Sequence, residues 1–224
     1  YLFLRAGLAL PRDFALDFDV ELASDRDYLD DYGIDSRDRL DSAATLTRVR
    51  PRSRTELGLT GYQTLREDED ADTLPVLEGD ALWQRRIVLP GAGGIATATL
   101  AGHAHRRPSD TDGAGRDVAR LGARLDWRRD WVAPAGVLLG AAARLRFDHV
   151  DVAQDSAFPD PVTEVTPAVA VSARWPWMRH GAATHVIAPA IRLAWSPAEG
   201  ADRPVDQSTD PEFDEGNLFA FTRY

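Results

Sequence analysis

Apolar and polar residues alternate with a period of two along most of this sequence, and helical periodicity is nearly absent. The segment at residues 13–22 is the clearest case. Its even positions are apolar, and its odd positions carry mainly acids: Phe14, Leu16, Phe18, Val20 and Leu22 against Asp13, Asp17, Asp19 and Glu21. Because successive side chains of a strand point to opposite faces, this pattern predicts a strand with one apolar and one charged face. Its length, about ten residues, is that of a tilted strand that crosses a bilayer.

A second pair of alternating segments, residues 121–131 and 137–148, predicts a hairpin around the turn sequence "VAPAG". The apolar positions are Leu121, Ala123, Leu125, Trp127, Trp131, Val137, Leu139, Ala141, Ala143, Leu145 and Phe147, and the opposite positions include Arg124, Asp126, Arg128, Arg144 and Arg146. Arg129 falls among the apolar positions near a predicted strand end, where its long stem lets the guanidinium reach a polar region. Residues 54–66 also alternate, whereas the pattern at residues 40–50 is ambiguous and assigns no faces.

Short and long connections follow one another in alternation. Short ones lie near residues 11–12, 51–53, 90–94, 132–136 and 176–184, and long ones near residues 25–39, 67–73, 107–117, 149–163 and 196–216. This order is typical of an up-and-down barrel with tight turns at one rim and loops at the other. The sequence therefore predicts an all-β, antiparallel, transmembrane β-barrel that is partial, with about eleven strands of a larger barrel.

A soluble β-sandwich is the alternative, because it also alternates and also has turn residues at regular intervals. A sandwich does not require loop lengths to alternate, however, and its exposed face does not require Arg and Asp at every second position. Five tryptophans lie towards predicted strand ends, where a membrane barrel carries its aromatic girdle: Trp127, Trp131, Trp175, Trp177 and Trp195. These observations favour the barrel.

Composition restricts the class of function. The net charge of −10 and the pI near 4.9 disfavour a nucleic-acid partner, because phosphate contacts require basic patches. All 26 basic residues are Arg, and cysteine is absent, which excludes a disulfide framework or a thiolate metal site within this sequence. The first and last segments, "YLFLRAGLAL" and "NLFAFTRY", both resemble strands. We therefore expect residues 1–224 to be the interior part of a longer barrel domain.

No motif predicts catalysis or a cofactor. "PGAGG" at residues 90–94 lacks the Lys and the helix of a phosphate-binding loop, so it predicts a tight turn. "HAH" places His103 and His105 on one face of a strand, but no nearby carboxylate or third histidine fixes a site, which favours ordinary strand histidines over a metal site. "EDEDAD" at residues 67–72 lacks the Gly and the closing Glu of a calcium loop and predicts a solvated loop tip. We expect a protein that is not an enzyme.

Two segments resemble a known family. The stretch "SDRDYLDDYGIDSRDRLDS" at residues 24–42 lies between two predicted strands. It is similar to the Ser-Asp-x-x-Tyr/Phe-Leu-x-Asp-Tyr/Phe…Asp-Arg-Leu-x-Ser pattern of the LPS-assembly (LptD) family, through Ser24, Asp25, Tyr28, Asp31, Asp38 and Arg39. The final "EFDEGNLFAFTRY" resembles the Asp-x-x-Asn-Leu-Phe-x-x-x-Arg-Tyr/Phe segment of the same family.

The resemblance implies a protein of the cell outer membrane that inserts lipopolysaccharide (LPS) into the outer leaflet. It implies LPS, an LptE-like lipoprotein in the lumen, the periplasmic Lpt bridge and outer-membrane lipid as partners, the bridge being contacted through a domain outside this sequence. Residues 24–42 would form an ordered loop at the looped rim. The residues expected to face the lumen are Asp17, Asp19, Glu21, Arg124, Asp126, Arg128, Arg144 and Arg146. A porin-like passive channel and a soluble glycan-binding β-protein or hydrolase remain alternative functions.

Overall fold

The computed structural model describes residues 1–197 and residue 200. The strands in this part of the chain are β1 (Leu2–Leu10), β2 (Phe14–Leu22), β3 (Arg39–Arg50), β4 (Ser53–Thr64), β5 (Leu77–Val88), β6 (Ile95–Arg106), β7 (Asp117–Val132), β8 (Leu138–Ala153), β9 (Val162–Arg174), β10 (Trp177–His180), β11 (Thr184–Ile187) and β12 (Ala190–Trp195). A short helix, α1 (Tyr28–Asp31), and three 3-10 turns at Pro11–Asp13, Ala71–Thr73 and Pro134–Gly136 lie between them. Within these same ranges, no helix has the length and apolar character needed to cross a membrane.

Ten strands form one antiparallel sheet in the order β1-β2-β3-β4-β5-β6-β7-β8-β9-β12, and β10 pairs with β11 in a separate sheet. The predicted all-β, antiparallel class is therefore confirmed. One predicted connection is wrong: residues 176–184 are not a short turn but contain most of the β10–β11 hairpin. Gly181 donates its N–H to the carbonyl of Ala183 and forms the tip of that hairpin, which explains why turn residues dominate the local sequence.

The strands contribute to two compact units, which are described separately. The first contains residues 1–85, 99–123 and 148–163, and the second contains residues 86–98, 124–147 and those from 164 onward.

Cross-strand pairing in the first unit separates apolar from polar residues. One row of partners across β2 to β5 is apolar and consists of Leu16, Leu46, Leu57 and Ala81. The adjacent row points to the opposite face and consists of Asp17, Thr45, Gly58 and Asp80. This register also assigns the faces of β3, where Leu46 lies on the apolar face and Thr45 on the polar face.

The apolar face is exposed. In the first unit, Leu59 is 50% exposed and Leu121 is 54% exposed, and in the second unit Leu125 is 50% exposed. The largest side chains that are fully buried among the described residues are Leu29 and Leu40, and neither lies in the middle of a strand. So many exposed large apolar side chains are unusual for a protein surrounded by water and are expected where lipid or another apolar partner covers them.

The tight turn predicted at residues 90–94 is present between β5 and β6. Gly94 has a φ of +79°, and a Cβ there would clash with the carbonyl oxygen of Arg128, so this position requires glycine. Trp127 Nε1 donates to the carbonyl of Gly93 at 3.0 Å, and Arg129 Nη1 donates to that of Ala92 at 2.8 Å. Arg129 is tolerated at an apolar position because its guanidinium reaches the backbone of this turn.

Candidate functional site at the looped rim and on the polar face

The connection between β2 and β3 has a small hydrophobic core of its own. Helix α1 places Leu29, which is 1% exposed, in a cluster with Leu40, Leu65 and Ala23, and Tyr28 packs against this cluster. The carbonyl of Leu29 also accepts a hydrogen bond at 2.8 Å from the N–H at position 34, which closes the helical turn. The loop at residues 24–42 is therefore ordered by burial of leucines from three separate segments.

Where β2 separates from β3, two polar side chains replace the backbone hydrogen bonds of the sheet. Ser42 Oγ accepts a hydrogen bond from the N–H of Glu21 and donates one to its carbonyl, both at 3.0 Å. Gln63 Oε1 accepts from the N–H of Ala23 at 3.1 Å, while its Nε2 donates to the Ala23 carbonyl at 2.8 Å. These side chains satisfy backbone groups that would otherwise lack sheet partners, and they determine where the loop leaves the sheet.

Charged residues attach this loop to the connection between β4 and β5. Asp38 accepts hydrogen bonds from Arg66 Nη2 at 2.6 Å and Nε at 3.0 Å, and Arg66 also pairs with Glu69 at 3.1 Å. Arg39 lies 3.8 Å from the same Glu69. The pKa of Arg66 is raised, chiefly by its hydrogen bond with Asp38. The pKa of Glu69 is lowered by the hydroxyl of Thr64 and by the Arg66 guanidinium. Asp38 and Arg39 therefore act as tethers between two loops.

Arg37 connects the loop to the polar face of the sheet. Its Nη1 donates to Glu21 Oε2 at 2.7 Å and its Nε donates to Asp35 Oδ2 at 2.6 Å, and its guanidinium carbon lies 5.5 Å from the centre of the Phe3 ring. Hydrogen bonding to Glu21 and Asp35 raises the pKa of Arg37, and the same guanidinium lowers the pKa of Asp35. The Glu21 side chain is 7% exposed. Sequence reasoning missed Arg37, because its partner lies on a different element.

The remaining motif residues do not converge on one site. Tyr28 contacts the ring of Tyr32 at a centroid distance of 4.7 Å. Ser24, Asp25 and Asp31 are exposed, and the Asp25 carboxylate is at the 3.5 Å limit for a hydrogen bond from the backbone N–H at position 27. The motif thus divides into residues that hold the loop in place and residues that face outward from it.

The expected lumen residues form two separate groups on polar faces. In the first unit, Asp17 and Asp19 line a cavity of about 580 Å³ together with Arg5, which pairs with Asp19 at 2.9 Å. In the second unit, Asp126 lies between Arg124 at 2.8 Å and Arg144 at 2.6 Å. Arg146 is two positions beyond Arg144 on β8, and Arg128 is exposed and lies 3.9 Å from Asp130. Each group combines both charge signs at a half-exposed surface.

Comparison with known families decides which class of protein presents these surfaces. The model of the LptD family, described as LPS transport system D, matches residues 1–224. The chain belongs to the LptD family. This confirms the resemblance carried by residues 24–42, and it connects the chain to LPS transport and outer-membrane assembly. No curated protein matches the chain. The second motif of the LptD family resemblance, at residues 212–224, and most of the predicted connection at residues 196–216 lie outside the described residues.

One expectation about the histidines of this LptD family member needs correction. A carboxylate does lie beside them: Asp80, on the neighbouring strand β5, is 2.9 Å from His103 Nδ1. His103 Nε2 is 3.5 Å from His105 Nδ1, and Arg107 Nη1 is 3.0 Å from His105 Nε2. The guanidinium disfavours a bound cation at this position, and among the described residues no group of three or more His, Cys, Asp or Glu is placed so that it could hold a metal ion. Asp80 was missed because cross-strand neighbours are far apart in the sequence.

Proposed function

We propose that residues 1–224 form an interior part of the barrel wall of an outer-membrane translocon that inserts LPS into the outer leaflet. The observation that carries this proposal is the segregation of side chains between two faces in a member of the LptD family. Exposed leucines such as Leu59 occupy one face, and acidic residues such as Asp17 and Asp80 occupy the other. The apolar face then contacts lipid, and the polar face lines the lumen.

The proposal assigns roles to both polar groups. Hydrogen-bond donors and acceptors face a wet interior at two places. One is the pair Arg5–Asp19, and the other is Asp126 with its two partners Arg124 and Arg144. Such a lining suits the sugar and phosphate groups of LPS, or the polar surface of an LptE-like lipoprotein in the lumen. The periplasmic Lpt bridge would be contacted through a domain outside this sequence. The tethered loop of Asp38 and Arg39 then lies at the rim opposite the short turns.

Depletion of the full-length protein from a Gram-negative host tests the proposal. Newly synthesised LPS is expected to stop reaching the cell surface before the uptake of small solutes changes, and a plasmid copy should restore it. A passive channel gives the opposite result, because solute uptake then falls while LPS still reaches the surface. Normal surface LPS throughout depletion contradicts the proposal.

A further inference from the structure

Side chains on the apolar face of the first unit change character towards the short turns. Three successive rows cross neighbouring strands from β2 to β5. The first row is Leu16, Leu46, Leu57 and Ala81, the second is Phe14, Arg48, Thr55 and Trp83, and the third is Arg50, Ser53 and Arg85. Rows on one face are two residues apart, which is about 6.5–7 Å along a strand. The order from apolar through aromatic to cationic is the order of chemistry from the interior of a bilayer to its headgroups.

The arginines in these rows are only partly neutralised by the protein. Arg48 lies 5.0 Å from the centre of the Phe14 ring, and Arg50 pairs with Asp13 at 2.8 Å. Arg85 is exposed and has no ion pair within the part of the chain that the structure describes. The surface of Arg48, Arg50, Ser53 and Arg85, here called the arginine belt, therefore carries excess positive charge.

We propose that the arginine belt binds the phosphate of an anionic phospholipid whose acyl chains lie against the first row. This inference rests on the membrane placement proposed above. Arg50 and Arg85 share a row and are two strands apart, about 9.5 Å between backbones, a gap that two long side chains close over one phosphate. The planar guanidinium donates two parallel hydrogen bonds to phosphate oxygens, and the Ser53 hydroxyl adds a donor between the two arginines.

Lipid is favoured over free phosphate because the belt continues into apolar rows. A free anion would leave Leu46 and Leu57 uncovered, whereas a phospholipid covers these leucines and the arginines together. The opposite rim is acidic, since residues 67–72 hold five acids and no base, so positive charge is concentrated on the side of the short turns. The belt therefore selects anionic lipid in the leaflet at that side.

The full-length protein tests this inference in detergent, by native mass spectrometry with added phosphatidylglycerol or phosphatidylcholine. The wild type should retain phosphatidylglycerol preferentially. Arg50→Gln/Arg85→Gln should reduce that preference by roughly fivefold per arginine, because each basic residue near anionic lipid contributes about 1 kcal/mol. The control Arg54→Gln/Arg86→Gln removes the same charge from the opposite, polar face of β4 and β5 and should leave the preference unchanged. Arg50→Lys/Arg85→Lys keeps the charge and should retain most of the preference for phosphatidylglycerol.

The outcomes separate this inference from the proposed function. A wild type that binds both lipids equally overturns the inference without any variant, and so does an equal loss in the belt variant and its control. In either case insertion into vesicles and LPS export remain intact, so the proposed function stands. Failure of the wild type to insert into vesicles of any composition instead contradicts the proposed function itself.

Discussion

Substituting Phe18 by Arg places a charge near the middle of the proposed lipid-facing surface. Phe18 is four residues from Phe14 along β2, which is about 14 Å along the strand and about 10 Å along the membrane normal at a tilt near 40°. Phe14 lies in the aromatic row at the edge of the apolar band. Because this band is about 25 Å tall, its midplane lies close to Phe18. Arg at the midplane costs roughly 2–4 kcal/mol, which corresponds to about a 30- to 700-fold change in the folding equilibrium.

The matched control is Thr45→Arg, which makes the same charge change on the polar face. Thr45 is the cross-strand partner of Asp17, so the new guanidinium gains an exposed ion pair that changes stability by less than about 1 kcal/mol. Asp19→Arg should also be tolerated, because the pair that it removes, with Arg5, is exposed. The free energy of folding of the full-length protein into vesicles, measured by urea titration, compares the variants. Equal losses for Phe18→Arg and Thr45→Arg would refute the assignment of the two faces.

Three further predictions concern the loops and turns. Leu29→Ala should destabilise the loop cluster by roughly 2–5 kcal/mol and admit protease there, whereas Ile34→Ala, at a 39% exposed side chain, should not. Gly94→Ala should lower the amount of folded protein in the outer membrane because its turn does not accommodate a Cβ, whereas Gly91→Ala, with open space around it, should leave that amount unchanged. Because the pKa of Glu69 is lowered from its usual 4.5, the stability that its charge contributes is complete above that value and is lost as the pH falls through the lowered pKa. Because intrinsic amide exchange itself slows on acidification, the protection factor is compared. It should fall for residues 65–76 below about pH 4.5 in the wild type, and Glu69→Gln should reduce this acid dependence.

Local alternation predicted the strands and their faces, because the direction of a side chain in a strand depends only on its position. This rule alone predicted that Asp17, Asp19 and Glu21 share the polar face of β2, and it also predicted the hairpin of β7 and β8. The rule failed at residues 40–50, where Arg48 occupies an apolar position. The structure explains the exception, since the Arg48 guanidinium lies over the Phe14 ring.

Contacts between distant segments were not predictable in the same way. Leu29, Leu40 and Leu65 bury one another, yet they belong to a loop, the start of β3 and the segment after β4. The pairing of Asp80 with His103 likewise depends on the register of two strands. The β10–β11 hairpin was missed because Pro176 and Gly181 gave a strong turn signal in a segment with short strands.

The position of that hairpin has a consequence for the order of assembly. Strands β1 to β9 each pair with a sequence neighbour, so their contacts form between nearby parts of the chain. Strand β12 instead pairs with β9, after residues 175–189 have intervened. Until β12 arrives, the edge of β9 is exposed to incorrect pairing. In the structure β10 and β11 pair with each other in a separate sheet, and the edge of β9 is taken by β12.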